Sequence, residues 1–107
     1  MANFGGMGNI FKQAQEMQAK LARVQEELAH RTVEASSGGG MVLVTVTGQL
    51  ALSSIKIDPA VVNPQEMEML EDLVLAATNE GLRLAREMAA EEMSKITGGM
   101  KIPGLTP

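Results

Sequence analysis

Residues 36–59 read Ser-Ser-Gly-Gly-Gly-Met-Val-Leu-Val-Thr-Val-Thr-Gly-Gln-Leu-Ala-Leu-Ser-Ser-Ile-Lys-Ile-Asp-Pro. Gly38, Gly39 and Gly40 open the stretch. A run rich in β-branched residues follows from Met41 to Thr47, Gly48 interrupts it, and Leu50 to Ile57 resumes it until Asp58-Pro59. Val, Ile and Thr are stiff at χ1 and suit a pleated surface, and glycine supplies the positive φ that tight reversals need. The pattern predicts a strand, a short turn at Gly48-Gln49 and a second strand. Thr32-Val33-Glu34-Ala35 is placed to add a third. So small a sheet is marginal alone, so the flanking segments must cover its apolar face.

Both flanks read as long helices. Asn9 is a candidate N-cap, and Ile10, Ala14, Met17, Leu21, Val24 and Leu28 follow at 4-3-4-3-4 spacing. That is the a/d pattern of a heptad, and it predicts a helix over 9–30 of roughly 33 Å. Residues 1–8, with three glycines, read as a flexible lead-in. After the sheet, Asn63 is a candidate cap, Pro64 suits the first helical position and Glu66 falls where a capping box places an acid. Leu70, Val74, Ala77, Gly81, Leu84 and Met88 repeat the 4-3 spacing, widened by Met67, Leu73 and Ala85. Gly81 lies on that stripe and marks either a close approach or a tolerated helix glycine. Helix is expected to about Ile96, with Thr97-Gly98-Gly99 as its stop and residues 98–107 as a flexible tail.

The expected fold is therefore α+β, a single domain over 1–107 in the order α-β-β-β-α, with a small antiparallel sheet flanked by two long helices. Both helices outrun the sheet, so apolar stripe is left over. A two-fold homodimer would bury it, and the stripe residues Met17, Leu21, Val24, Leu28, Leu70, Val74, Ala77, Gly81, Leu84 and Met88 form the expected interface.

Composition narrows the chemistry. The chain has no Cys and one His, His30, so disulfides, thiolate nucleophiles, triads and His-based metal sites lack their residues. No cofactor, metal or small-molecule substrate is expected, and an enzyme is disfavoured. Glu66, Glu68, Glu71 and Asp72 read as a solvated first turn near the positive end of a helix dipole. The triple glycine is not a phosphate loop, because no Lys-Ser/Thr pair follows. No apolar run reaches the ~20 residues of a membrane span, and no secretory signal is evident. Phe4 and Phe11 are the only aromatics, which disfavours stacking of single-stranded bases. Of the nine methionines, Met17, Met67, Met69, Met88 and Met93 read as adaptable core or interface, with a promiscuous peptide groove as the alternative.

Net charge is −4 but uneven: residues 1–31 carry +1 and residues 32–107 carry −5. Lys12, Lys20, Arg23 and Arg31 cluster on one arc of the first helix, joined by His30. They read either as a solvated face with Glu16–Lys20 and Glu27–Arg31 pairs or as a phosphate-contacting stripe.

Lys12-Gln-Ala-Gln-Glu-Met-Gln-Ala-Lys20 with Leu28, then Thr32-Val-Glu34, Ser37-Gly-Gly-Gly40, Val44-Thr-Val-Thr-Gly48, Ser54-Ile-Lys-Ile-Asp-Pro59, Met69-Leu-Glu-Asp-Leu73, Thr97-Gly-Gly-Met100 and Pro103-Gly-Leu105 form an ordered series. The series resembles the YbaB/EbfC family of bacterial nucleoid-associated proteins over nearly the whole chain. The resemblance implies a cytoplasmic, nucleoid-associated, tweezer-like homodimer whose helices project from a shared sheet core. It also implies binding of double-stranded DNA with modest sequence preference, and effects on chromosome organisation or gene expression. By position it implies DNA contacts from Lys12, Lys20, Arg23 and Arg31 on the first helix and Arg83 and Arg86 on the second, with Arg83 free to reach a partner. One departure favours an alternative. Gln49-Leu-Ala-Leu-Ser-Ser54 is uncharged where that family commonly carries lysines. This fits a dimeric scaffold or adaptor for DNA-repair or replication proteins without direct DNA binding.

Overall fold

The computed structural model describes residues 2–96, with side chains described from Gly8 onward. Helix α1 spans Ala2–His30. Strands β1 (Thr32–Ser37), β2 (Val42–Thr47) and β3 (Leu52–Ile57) form an antiparallel sheet in the order β1-β2-β3. Helix α2 spans Met67–Ile96. The α-β-β-β-α order is as the sequence predicts. Residues 2–8, expected as a flexible lead-in, instead continue the helix beyond Asn9. Once a helix is nucleated, each added residue gains a hydrogen bond, and an interior glycine weakens a helix by ~1 kcal/mol without ending it. The expected stop at Thr97–Gly99 and the tail lie outside the described residues.

The β1–β2 connection carries the three glycines, all at positive φ: 60° at Gly38, 67° at Gly39 and 94° at Gly40. The β2–β3 turn is longer than expected. Thr47 N–H donates to the Ala51 carbonyl across 2.8 Å and Leu50 N–H to the Thr47 carbonyl across 2.9 Å. Leu50 therefore belongs to the turn, at φ 64°, and β3 begins two residues later. A three-residue loop ending in a left-handed residue is a common hairpin solution, normally filled by glycine. A bulge between Thr45 and Val46 sets Val46 opposite Leu52 while Thr45 stays opposite Ser54.

The core is thin and aliphatic. Val42, Val44 and Val46 alternate inward along β2 and are fully buried. Over them lies α2, presenting Ala77, Gly81 and Ala85 at every fourth position. These small side chains let the helix come close to the sheet: a Cβ on Gly81 would stand 2.8 Å from Val46 Cγ2 and 3.0 Å from Val44 Cγ2. Of the two readings of Gly81, the close helix–sheet approach is the one observed. At the start of α2, the Asn63 carboxamide accepts from Gln65 N–H across 3.0 Å, and a single 3₁₀ turn, Pro64–Glu66, leads into the helix.

Candidate nucleic-acid interface

Packing first decides which stripe residues remain available to a partner. Leu28, Ala77 and Gly81 are buried inside the protomer, so they are corrected from dimer interface to core. Spacing alone does not separate the two roles, because the protomer's own sheet and turn use the same helical stripe that a partner would use. Leu84 packs against this core, half-buried, and Met88 is half-buried on the next turn. Leu70 and Val74 flank a hollow of about 500 Å³ beside Ile57, Leu75 and Thr78. That hollow exists because α2 sits over β1 and β2 and leaves β3 bare: all six β3 residues are exposed, Ile55 by 45%. Leu52, Ile55 and Ile57 lie opposite Val46, Val44 and Val42 in register, so they extend the apolar face of the sheet with no helix above them. Leu52 lies in the uncharged 49–54 stretch that fits a protein partner, whereas Ile55 and Ile57 extend that apolar face beyond the stretch.

The basic residues divide into two groups. Lys12, Lys20 and Arg23 are exposed on the part of α1 that extends past the sheet. They form no ion pair with any described residue, and neither does Arg86 on α2. Arg83 is not free, contrary to expectation. Glu80 accepts from its Nη2 at 2.6 Å and its Nε at 3.0 Å, and Glu87 accepts from its Nη1 at 2.7 Å. Residues three and four apart share a helix face, which brings both acids onto one guanidinium. The hydrogen bond from Arg83 lowers the Glu80 pKa, and hydrogen bonding to Glu80 raises that of Arg83. Arg31 is also engaged. Its Nη1 lies 2.6 Å from Glu92 Oε1, and Lys95 Nζ reaches the same oxygen at 3.1 Å. Hydrogen bonds from Lys95 and then Arg31 lower the Glu92 pKa. The Glu16–Lys20 and Glu27–Arg31 pairs do not form among the described residues: Arg31 has turned across to α2. Glu92 was not singled out in the sequence, because 61 residues separate it from its partner.

Between the end of α1, the β2–β3 turn and α2 runs a groove of about 560 Å³, floored by Leu28, Leu50, Ala89, Ala90 and Met93 with Arg86 on its wall. The described residues contain no group of three or more His, Cys, Asp or Glu that could hold a metal ion. No described helix is long and apolar enough to cross a membrane.

The model of the YbaB/EbfC DNA-binding family matches residues 3–100. A nucleoid-associated protein of Syntrophobacter fumaroxidans is 57% identical over 97 residues, covering 91% of this chain and 88% of its own. One from Acetivibrio thermocellus is 58% identical over 104 residues, covering 95% and 92%. The crystal structure of an uncharacterized Helicobacter pylori protein superposes with a TM-score of 0.75 at 21% identity, covering 83% of this chain and 94% of that one. At that identity the likeness concerns the fold alone.

Proposed function

Since the chain belongs to the YbaB/EbfC DNA-binding family, we propose that it acts in the nucleoid as a homodimer that binds double-stranded DNA through the unpaired cations of its helices. The observation that carries this reading is the division among the basic residues: Lys12, Lys20, Arg23 and Arg86 have no acidic partner among the described residues, whereas Arg31 and Arg83 do. Phosphate contacts need only charge and reach, and they give affinity without reading sequence. This accords with modest sequence preference and a role in chromosome organisation or gene expression. Doubling by a two-fold axis gives eight such cations. The bare strip formed by Ile55, Ile57, Leu70 and Val74 is the face assigned to the dimer. Its open strand edge and apolar hollow call for a cover, and a second copy supplies a self-complementary one.

Fluorescence anisotropy with a labelled random-sequence duplex, titrated across salt, tests the reading. Binding should weaken linearly on a log–log plot, by roughly 0.9 log unit per phosphate neutralised. Replacing Lys12, Lys20 and Arg23 by Glu should abolish binding while leaving the dimer intact. Undiminished affinity in that variant would remove α1 from the interface.

The groove beside Leu50 favours a second reading, a scaffold for DNA-repair or replication proteins. It predicts a salt-insensitive protein partner that is lost when Leu50 and Leu52 become Lys.

A further inference from the structure

The outer part of α1 has no hydrogen-bond or ion-pair partner outside its own helix among the described residues. Residues 8–20 are exposed throughout, Ile10 by 67% and Phe11 by 66%. The hydrogen bonds and ion pair that tie α1 to the other described elements begin only at Gln25, with Leu28 and Arg31 following. A helix without tertiary packing is marginal in water. Its apolar residues are not scattered. Ile10, Ala14 and Met17, all exposed, continue into the half-buried Leu21 and Val24, and the five form a seam at alternating spacings of four and three, which is what two helices need to interlock.

The residues beside the seam indicate what covers it. Gln13, Gln18 and Gln25 occupy flanking positions together with Lys20, while Lys12, Glu16 and Arg23 fall on the outer face. Two such seams laid together in parallel set Gln13 against Gln18 and Lys20 against Gln25, so no like charges meet. The seam has a definite end, because the β2–β3 turn closes over Leu28 through Gly48. About two heptads remain, enough for a weak pairing that local crowding would strengthen.

We propose that this seam pairs with the same seam of a second copy belonging to another dimer. Dimers would then link through α1 while Lys12 and Arg23 stay outward on DNA. The inference rests on the homodimer reading above, in which the strip along β3 supplies the primary contact.

Sedimentation velocity over a concentration series, alone and with a long duplex, tests it. The wild-type mass should rise beyond the dimer, most readily on DNA. The variant Ile10→Gln, Met17→Gln, Leu21→Gln keeps the charge and good helix propensity. It should stop at the dimer and still bind a short duplex with unchanged affinity. A wild type that never exceeds the dimer would overturn the proposal. So would a triple variant that falls to the monomer, because the seam would then be the primary contact. Met17→Cys gives a second measurement in a chain that has no cysteine. Oxidation should lock native masses of four chains or more if seams join different dimers, whereas a mass held at two chains would contradict it. Ile55→Lys added to the triple variant separates the two readings: a chain that stays dimeric with all four changes strikes the β3 contact and not the seam.

Discussion

The N–H of Gly48 donates to the carbonyl of Leu28 across 2.9 Å, and a Cβ on Gly48 would stand 2.6 Å from that same oxygen. The turn between β2 and β3 is thus seated directly on the end of α1. Glycine is required there for space and not for an unusual φ, since Gly48 is not among the positive-φ residues. Gly48→Ala is expected to lower stability by about 1–3 kcal/mol, the usual range for overpacking. Urea denaturation measures it.

Gly81 has the same kind of contact with softer neighbours. Ala would improve helix propensity by ~1 kcal/mol, but its methyl would meet Val46 and Val44 side chains at 2.8 and 3.0 Å. Gly81→Ala should be net destabilising, and adding Val46→Ala should recover part of the loss. A double-mutant cycle reads the coupling. Purely additive losses would mean that the two sites do not touch.

Leu50 sits at φ 64°, a region that costs a non-glycine residue roughly 1–2 kcal/mol. Asn adopts it more readily. Leu50→Asn is expected to raise the denaturation midpoint by an amount equivalent to about 0.5–1 kcal/mol. A lowered midpoint would show that the contacts of Leu50 in the groove outweigh its backbone strain.

Paired and unpaired cations should differ in salt dependence. Lys20→Ala removes one free charge per chain and should reduce the log–log salt slope of a DNA-bound dimer by up to ~1.8. Arg83→Ala should leave the slope unchanged, because Glu80 and Glu87 already hold that guanidinium. Equal effects from the two changes would argue that DNA displaces the carboxylates.

The Arg31–Glu92–Lys95 cluster predicts a pH effect. The folded-state pKa of Glu92 is lowered, so its contribution is present above the unfolded-state pKa and is lost as pH falls through the lower folded one. Glu92→Gln should flatten the acid limb of stability against pH and leave the neutral limb parallel to wild type. The pairs are exposed, so the difference should also shrink with salt. Chemical denaturation at a series of pH values measures both.

Much of the fold was legible in the sequence because its signals are local. The glycines at 38–40, the β-branched run before Thr47, and the Asn63-Pro64 cap each act on their own neighbours, and all three appear where expected. The site was less legible. The 4-3 spacing marks the apolar side of α2 but not what covers it, and Ala77 and Gly81 were taken by the protomer's own sheet. Arg83 could be placed on the outer face by counting 100° per residue, but its two carboxylate partners required actual side-chain geometry.

The sequence by itself determined the order of elements, the aliphatic core and the absence of cysteine chemistry, because backbone propensity and side-chain period need no long-range information. Only the tertiary structure decided that α2 covers β1 and β2 while β3 stays bare, that Leu50 belongs to a strained turn, and that Arg31 is bound to Glu92. Each of these depends on where elements distant in the chain come to rest, and packing against a shared sheet determines that.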